Sequence, residues 1–328
     1  MKNILITGGL GFIGSNIAHY LEKKKKFNKF VLIDNFGGYI NPTSKNFVDY
    51  RKFRIDRIKN KIIERCDTTN FKVILNLVEK YKPKIIYHTA ALPLAKLENV
   101  NTDEAKKGSV DSTINLIDAI NLVKKKNKKF SCRFVYISSS MIYGDFKTKI
   151  VNEESEKNPK ESYGIMKLSG EITTKGLCTM YKIPYTIIRP SAVYGPTDMN
   201  RRVSQIFIEN AFKNKEIMIQ GINEKLDFTY IDDLVMGCYL ASTKYKGENE
   251  VFNLTCGHGQ SLFKFVKILN KHFPNLTYKI KPRDKSKPSR GTLSIKKANK
   301  LLGYKPKYTL EKGISEYIKF LKLHKIFR

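Results

Sequence analysis

What the 328-residue chain lacks narrows its chemistry first. No apolar run is long enough to cross a bilayer, which excludes a membrane-spanning helix. The start, MKNILITGG, passes from a short apolar run straight into glycines, without the longer apolar stretch and cleavage site of a secretory signal. A soluble, cytoplasmic protein is expected, with no membrane partner. The five cysteines are Cys66, Cys132, Cys178, Cys238 and Cys256, scattered and without a C-x-x-C pair. That spacing argues against a disulfide framework and against zinc, so small buried thiols and no metal are expected. Internal repeats are missing, as is low-complexity sequence apart from short lysine runs.

Acidic residues are scarce: 30 Asp and Glu stand against 61 Lys and Arg, a formal net charge of +31. Such an excess raises the question of a nucleic-acid partner. No zinc-finger spacing, RRM-like aromatic signature or helix-turn-helix accompanies it, and much of the lysine sits in runs, KKKK at 23–26 and KKKNKK at 124–129 among them. Both runs fall near the ends of predicted helices, where cations complement the helix dipole. A lysine-rich solvated surface is the better reading. It would attract polyanions at low salt and favour an anionic substrate, with no specific nucleic-acid partner.

What is present is a core-forming chain, 41% hydrophobic, in which strands and helices alternate. The runs KNILITGG, FVLID (30–34), KIIER (61–65), KIIYHTAA (84–91), CRFVYISSS (132–140) and YTIIRP (185–190) read as buried strands. Helical periodicity falls between them at 13–24, 70–82, 109–127 and 162–182. This order predicts an α/β fold, a Rossmann-like doubly wound parallel sheet. Segment 36–59 is too long for an ordinary connection and reads as a loop plus helix at the cofactor edge. After about residue 190 the alternation breaks down into helices at 202–214 and 261–273 with short strands near 216–219 and 277–280. A division follows into a dinucleotide-binding domain, 1–188, and a smaller α/β substrate lobe, 189–328, whose segments interleave with the first.

The first turn reads TGGLGFIG. Gly8 permits the tight turn, Gly11 lets the backbone approach a pyrophosphate, and Gly14 lets helix and strand pack closely. Phe12 and Ile13 open the helix, whose N-terminus stabilises phosphate charge. Asp34 ends the second strand, and a carboxylate there accepts hydrogen bonds from the adenosine ribose and repels a 2′-phosphate. The cofactor is therefore NAD rather than NADP. Further on, Tyr163 and Lys167 stand four residues apart on a helix, where their side chains can meet. Alone, the pair is equally an aromatic and a charge on an ordinary helix face.

Together these motifs resemble the extended short-chain dehydrogenase/reductase family, specifically its nucleotide-sugar epimerases and dehydratases. The glycine spacing G-x-x-G-x-x-G is that family's opening. The resemblance runs nearly the full chain: Cys66-Asp67, His88-Thr89-Ala90-Ala91, Ser138-Ser139-Ser140 with Tyr143-Gly144, Tyr163-x-x-x-Lys167, Arg189-Pro190, Tyr194-Gly195-Pro196, Asp227 to Asp233, and Leu302 to Pro306. It implies NAD contacts at Asn35, at Asp67 beside adenine and at Ala90. It implies Tyr163 as acid/base, Lys167 as its modulator and ribose ligand, and Ser139 as hydrogen-bond partner of the reacting sugar hydroxyl. Ser140 is the near alternative and a substrate contact; local backbone bonding by a serine-rich strand end is the plain reading of both. The Lys167 ammonium would bring the Tyr163 phenol down from its ordinary value of ~10.

For the diphosphate of a nucleoside-diphosphate sugar, Arg201, Arg202, Arg283 and Arg290 are candidates, with Arg290 favoured; singly, each serves equally well as a surface arginine. The implied first step is oxidation of a sugar hydroxyl, usually at C4. The dehydratases' Asp-Glu pair is replaced by Ser140 and Met141, which disfavours dehydration. Ser191-Ala192, Leu226 and Ser109 depart from the family's usual Asn, Arg and Asn, so an ordinary UDP-hexose is not assured. The leading expectation is a 4-epimerase in carbohydrate biosynthesis. A nucleotide-sugar 4-dehydrogenase, an epimerase at another carbon, and a catalytically idle NAD-binding regulator are the alternatives. A homodimer through helices 109–127 and 162–182 is implied by the resemblance alone.

Overall fold

The computed structural model describes residues 2–37, 48–91, 102–199 and 202–327. Seven strands form one parallel sheet. Those at β1 (Asn3–Thr7), β2 (Lys29–Asp34), β3 (Lys61–Arg65), β4 (Ile85–His88) and β5 (Arg133–Ile137) are the expected apolar runs, trimmed at their ends. A two-residue strand, β6 (Ile150–Val151), lies outside this sheet and pairs with Thr292–Leu293. The sheet resumes with β7 (Tyr185–Arg189) and ends with Glu250–Asn253, a strand not anticipated from the sequence. Its short EVFN segment carries too little pattern to read as a strand alone.

From edge to edge the order is Glu250–Asn253, β7, β5, β4, β1, β2, β3. The central strands β1, β2, β4, β5 and β7 are buried on both faces, which is why each reads as a continuous apolar run, whereas edge strand β3 is only partly covered. In β1, Ile4 and Ile6 join one core cluster while Leu5 joins the other. The first cluster packs α1 (Phe12–Lys23) and the C-terminal lobe against the sheet. The second packs α3 (Phe71–Tyr81), α5 (Ser112–Lys126) and α6 (Ser162–Tyr181) on the opposite face. The strand order reverses between β1 and β4, and open sheets bind ligands at such a switch point, beyond the strands' carboxyl ends.

Two helical segments differ in detail from expectation. Segment 36–59 does contain a helix, α2 (Arg51–Asp56), whereas residues 38–47 lie outside the described residues. The helix expected at 109–127 follows α4 (Thr102–Lys106) through a π-helical turn, Lys107–Asp111, before α5 begins. That turn brings the Ser109 carbonyl close to α6. Gly170 makes room for it, since a Cβ there would come within 2.6 Å of the Ser109 oxygen and collide with the Tyr136 hydroxyl. Of the cysteines, Cys66, Cys132, Cys178 and Cys238 are buried thiols and Cys256 is half-buried.

Candidate active site

One cavity of about 1170 Å³ opens over the carboxyl ends of β1, β2, β4 and β5. Its floor is the glycine turn. Gly8 has φ +64, and a Cβ there would stand 2.9 Å from the Ala90 amide nitrogen. A Cβ on Gly14 would collide with the Gly8 carbonyl, so this glycine lets α1 start directly behind the turn. The N–H groups of Phe12, Ile13 and Gly14 open α1 without acceptors within the helix, and they face the cavity at its positive end. Gly11 caps the helix in extended backbone and lies in the same wall.

The adenosine end follows β2 and β3. The Asp34 carboxylate accepts from the Leu10 N–H at 3.1 Å and the Phe36 N–H at 2.9 Å. A carboxylate has about four acceptor sites, so lone pairs remain for ribose hydroxyls. Asn35 accepts from the Gly37 N–H and bonds Asp67. Burial acts to raise the Asp67 carboxyl, but hydrogen bonds from Thr69 and Asn35, with Lys107 nearby, outweigh it and hold the group below the usual range. Ala90 is anchored by its N–H, which donates to Thr7 Oγ1 at 3.2 Å. The residues present thus fit a dinucleotide: a turn that tolerates no side chain, a helix start for the pyrophosphate, and carboxylates at the ribose and base.

The reactive end lies beyond β5. Ser139 caps a short 3-10 turn, Ser140–Tyr143, its Oγ accepting from the Met141 N–H at 3.2 Å. Its hydroxyl also reaches the Tyr163 phenol and favours ionisation there. Ser140 is buried beside it, its N–H donating to the Pro190 carbonyl. Lys167 is 3% exposed, and its Nζ donates to the Ile137 carbonyl at 2.8 Å. The ammonium stands 5.1 Å from the Tyr136 ring centre and 5.9 Å from that of Tyr163. Burial lowers its pKa to about 7, opposed by Glu171. Behind it, fully buried His88 bonds Thr7 through Nδ1 and is kept neutral, its pKa lowered by burial and by Lys167 to about 3.

Tyr163 itself departs from the sequence expectation. Burial raises its pKa, and in the chain alone the charge that opposes this is Arg202, not Lys167. Lys167 lies against the ring rather than the oxygen, because its Nζ is tied to the Ile137 carbonyl. Arg202 donates to the Val193 carbonyl at 3.2 Å and lines the cavity with Arg290, whose pKa burial lowers to about 10. Arg290 reaches Met141 Sδ at 3.5 Å. Arg283 is committed to Glu224 at 2.9 Å, and Arg201 lies outside the described residues.

Sequence reasoning missed two charged groups here. Glu161, at the start of α6, turns into the cavity with Oε2 buried and without a hydrogen-bond partner among the described residues; burial raises its pKa against the pull of Arg290 and Lys287. Arg54 of α2 is buried and donates to the Leu10 carbonyl at 3.0 Å and to the Thr197 carbonyl. Neither carries a local signature; Glu161 stands two residues ahead of Tyr163, the one clue available. Other motif residues turn out to be architectural. Asp227 accepts from Leu293 and Gly257 N–H groups and from Thr255, and Asp233 holds the Lys307 and Tyr308 N–H groups.

Known proteins resemble this chain over nearly its whole length. The chain is 29% identical over 330 residues to the "Uncharacterized UDP-glucose epimerase YtcB" of Bacillus subtilis, covering 97% of each. It is 26% identical over 346 residues to a dTDP-glucose 4,6-dehydratase of Haemophilus influenzae, covering 98% of each. The crystal structure of UDP-glucuronic acid 4-epimerase from Bacillus cereus, in complex with UDP-glucuronic acid and NAD, superposes with a TM-score of 0.86. That match has 26% identity and covers 98% of this chain and 100% of the other. Residues 4–255 match the family described as the NAD dependent epimerase/dehydratase family, and with the glycine turn, Asp34 and the Tyr163–Lys167 helix on one cavity, the chain belongs to it.

Proposed function

We propose that this protein is an NAD-dependent nucleotide-sugar epimerase that inverts C4 through a transient 4-keto sugar. The observation that carries the reading is the meeting of Ser139, Tyr163 and Lys167 in the cavity that also holds the Gly8, Gly11 and Gly14 turn. NAD would lie along that turn, with Asp34 and Asn35 at the ribose, Asp67 and Ala90 lining its path, and Lys167 at the nicotinamide end. Bound there, NAD supplies reversible storage for the hydride taken from the sugar carbon. Tyr163 moves the hydroxyl proton, away on oxidation and back on reduction, with Ser139 holding the oxygen. Lys167 keeps positive charge behind the phenol. Arg202 and Arg290 offer guanidinium forks to the diphosphate, and Ser140 contacts the sugar.

Inversion requires the keto sugar to present its other face, and a cavity of about 1170 Å³ leaves room beside a dinucleotide. Ser140 and Met141 at the start of the 3-10 turn offer no acid/base pair for dehydration. The relatives and neighbours named above act on UDP- and dTDP-sugars, which supports a nucleoside-diphosphate sugar as substrate. We read the enzyme as cytoplasmic, working in carbohydrate biosynthesis as a homodimer. Exposed Ile172 and Met180 on α6, at 65% and 61%, support pairing through that helix. Neither a metal nor a specific nucleic-acid partner is part of this reading.

The test is mass spectrometry of purified protein with UDP-, GDP-, CDP- and dTDP-sugars in deuterium oxide without added NAD. A stereoisomer of unchanged mass and free of deuterium is expected. In a second run with NAD added as oxidant, a keto product lighter by two hydrogens, with NADH accumulating, would make the protein a dehydrogenase instead.

A further inference from the structure

Exposed lysine gathers where the strands of the large sheet begin. At the carboxyl edge, where the cavity opens, the residues that directly follow the strands, GGLG, CDTTN, SS and PSA among them, carry no lysine or arginine, and the cations found there, such as Lys167, Arg202 and Arg290, line the cavity from other elements. At the amino edge the pattern inverts. Lys2 precedes β1, and the other six strands are entered from KKKFN, RIKN, KPK, NKKFSC, KIP and KYKGEN. Every lysine in these segments is exposed. The single carboxylate among them, Glu248, is taken by Arg133.

Compensation of helix C-termini accounts for part of this. Lys124, in the last turn of α5, donates to the Tyr181 and Lys182 carbonyls at 3.0 and 2.7 Å, and Lys244 to the Leu302 carbonyl at 2.8 Å. One cation per helix end suffices for that purpose. The remaining lysines stand in the connections themselves, in a row that follows the strand starts for about 30 Å at the usual strand spacing. Its cations are flexible lysines rather than arginine forks suited to phosphate geometry or base edges. Tyr245, in KYKGEN, is 84% exposed at one end of the row, and tyrosine favours the headgroup level of a bilayer.

We propose that the amino edge of the sheet is a docking face for the surface of a bilayer bearing anionic phospholipid. The contact is peripheral and electrostatic; that no helix among the described residues is long and apolar enough to cross a bilayer bears on crossing one, not on lying against it. Docked this way, the cavity at the opposite edge faces solvent and stays open to substrate.

The test is cosedimentation of the full chain with phosphatidylcholine vesicles, with and without phosphatidylserine, at physiological ionic strength. Two variants of equal net charge are compared. One carries Lys25→Glu, Lys84→Glu, Lys128→Glu and Lys129→Glu on the amino edge. The other carries Lys279→Glu, Lys281→Glu, Lys285→Glu and Lys319→Glu elsewhere. The wild type and the second variant should bind only the vesicles with phosphatidylserine, and the first should bind them roughly tenfold or more weakly. Sugar turnover in free solution should be the same in all three. Equal binding by the two variants would reduce the effect to net charge and overturn the docking face, as would no vesicle binding by the wild type. Duplex DNA bound in place of vesicles, and released by the edge variant, would assign the face to nucleic acid.

Discussion

Tyr163 sits where burial opposes its ionisation and where Ser139 and Arg202 favour it. If it moves the substrate proton, Tyr163→Phe should lower turnover by roughly 10²–10⁴-fold while NAD affinity changes little. Steady-state rates with an NAD titration check this, and undiminished turnover would point to another acid/base. Lys167 has two supports within reach, the Ile137 carbonyl and the face of Tyr136. A ring face favours the charged form of a cation lying over it. Tyr136→Leu should therefore move the alkaline limb of the kcat/KM profile to lower pH, whereas Tyr136→Phe keeps the ring and leaves the limb in place. Equal effects of the two would mean that Tyr136 only fills space. His88 gives a stability signature of its own. Its native pKa of about 3 lies below the ordinary 6.5, so between these values the unfolded chain binds more protons. Stability should rise with pH across that window and stop rising above it. Urea unfolding from pH 5 to 7 should show a shallower slope for His88→Asn than for the wild type.

Among the elements, β7 and α6 are joined by Arg189 and Glu171, side chains 2% and 3% exposed and bonded in parallel at 2.9 and 2.7 Å. Arg189 also donates to the Tyr143 hydroxyl and the Glu153 carbonyl, tying in the 3-10 turn that carries Ser140. Glu171→Gln should cost about 3–5 kcal/mol because it leaves a buried guanidinium without its counter-ion. Replacing both residues by Met and Leu should recover much of that, which paired denaturant curves would measure. Legibility in the sequence follows the same division between local and distant. β1 to β5, β7 and α6 were readable because each carries its periodicity within itself. Tyr163 and Lys167 were readable for the same reason, being one helical turn apart. EVFN at 250–253 was not, since four residues become a strand only against β7. Nor was the approach of Arg202 to Tyr163, which depends on how the C-terminal lobe lies over the cavity.

At the scale of the whole molecule, the sheet is completed by a strand from past residue 249, and the first core cluster draws heavily on residues past 190. A fragment ending at residue 190 would leave β7 as an open edge beside uncovered Val135 and Ile188. It should aggregate or lose cooperative unfolding, and light scattering with thermal melts would reveal either; a monomeric fragment with a sharp melt would contradict the prediction. One side chain spans the same division. Arg54 grips the carbonyl of Leu10, in the glycine turn, and that of Thr197, just past the Tyr194-Gly195-Pro196 segment. Both carbonyls answer to one rigid guanidinium, so ordering either wall lowers the entropy left to the other. Thermodynamic reciprocity then fixes the relation between the two ligands: by whatever factor bound NAD tightens the hold on the sugar nucleotide, the sugar nucleotide tightens the hold on NAD.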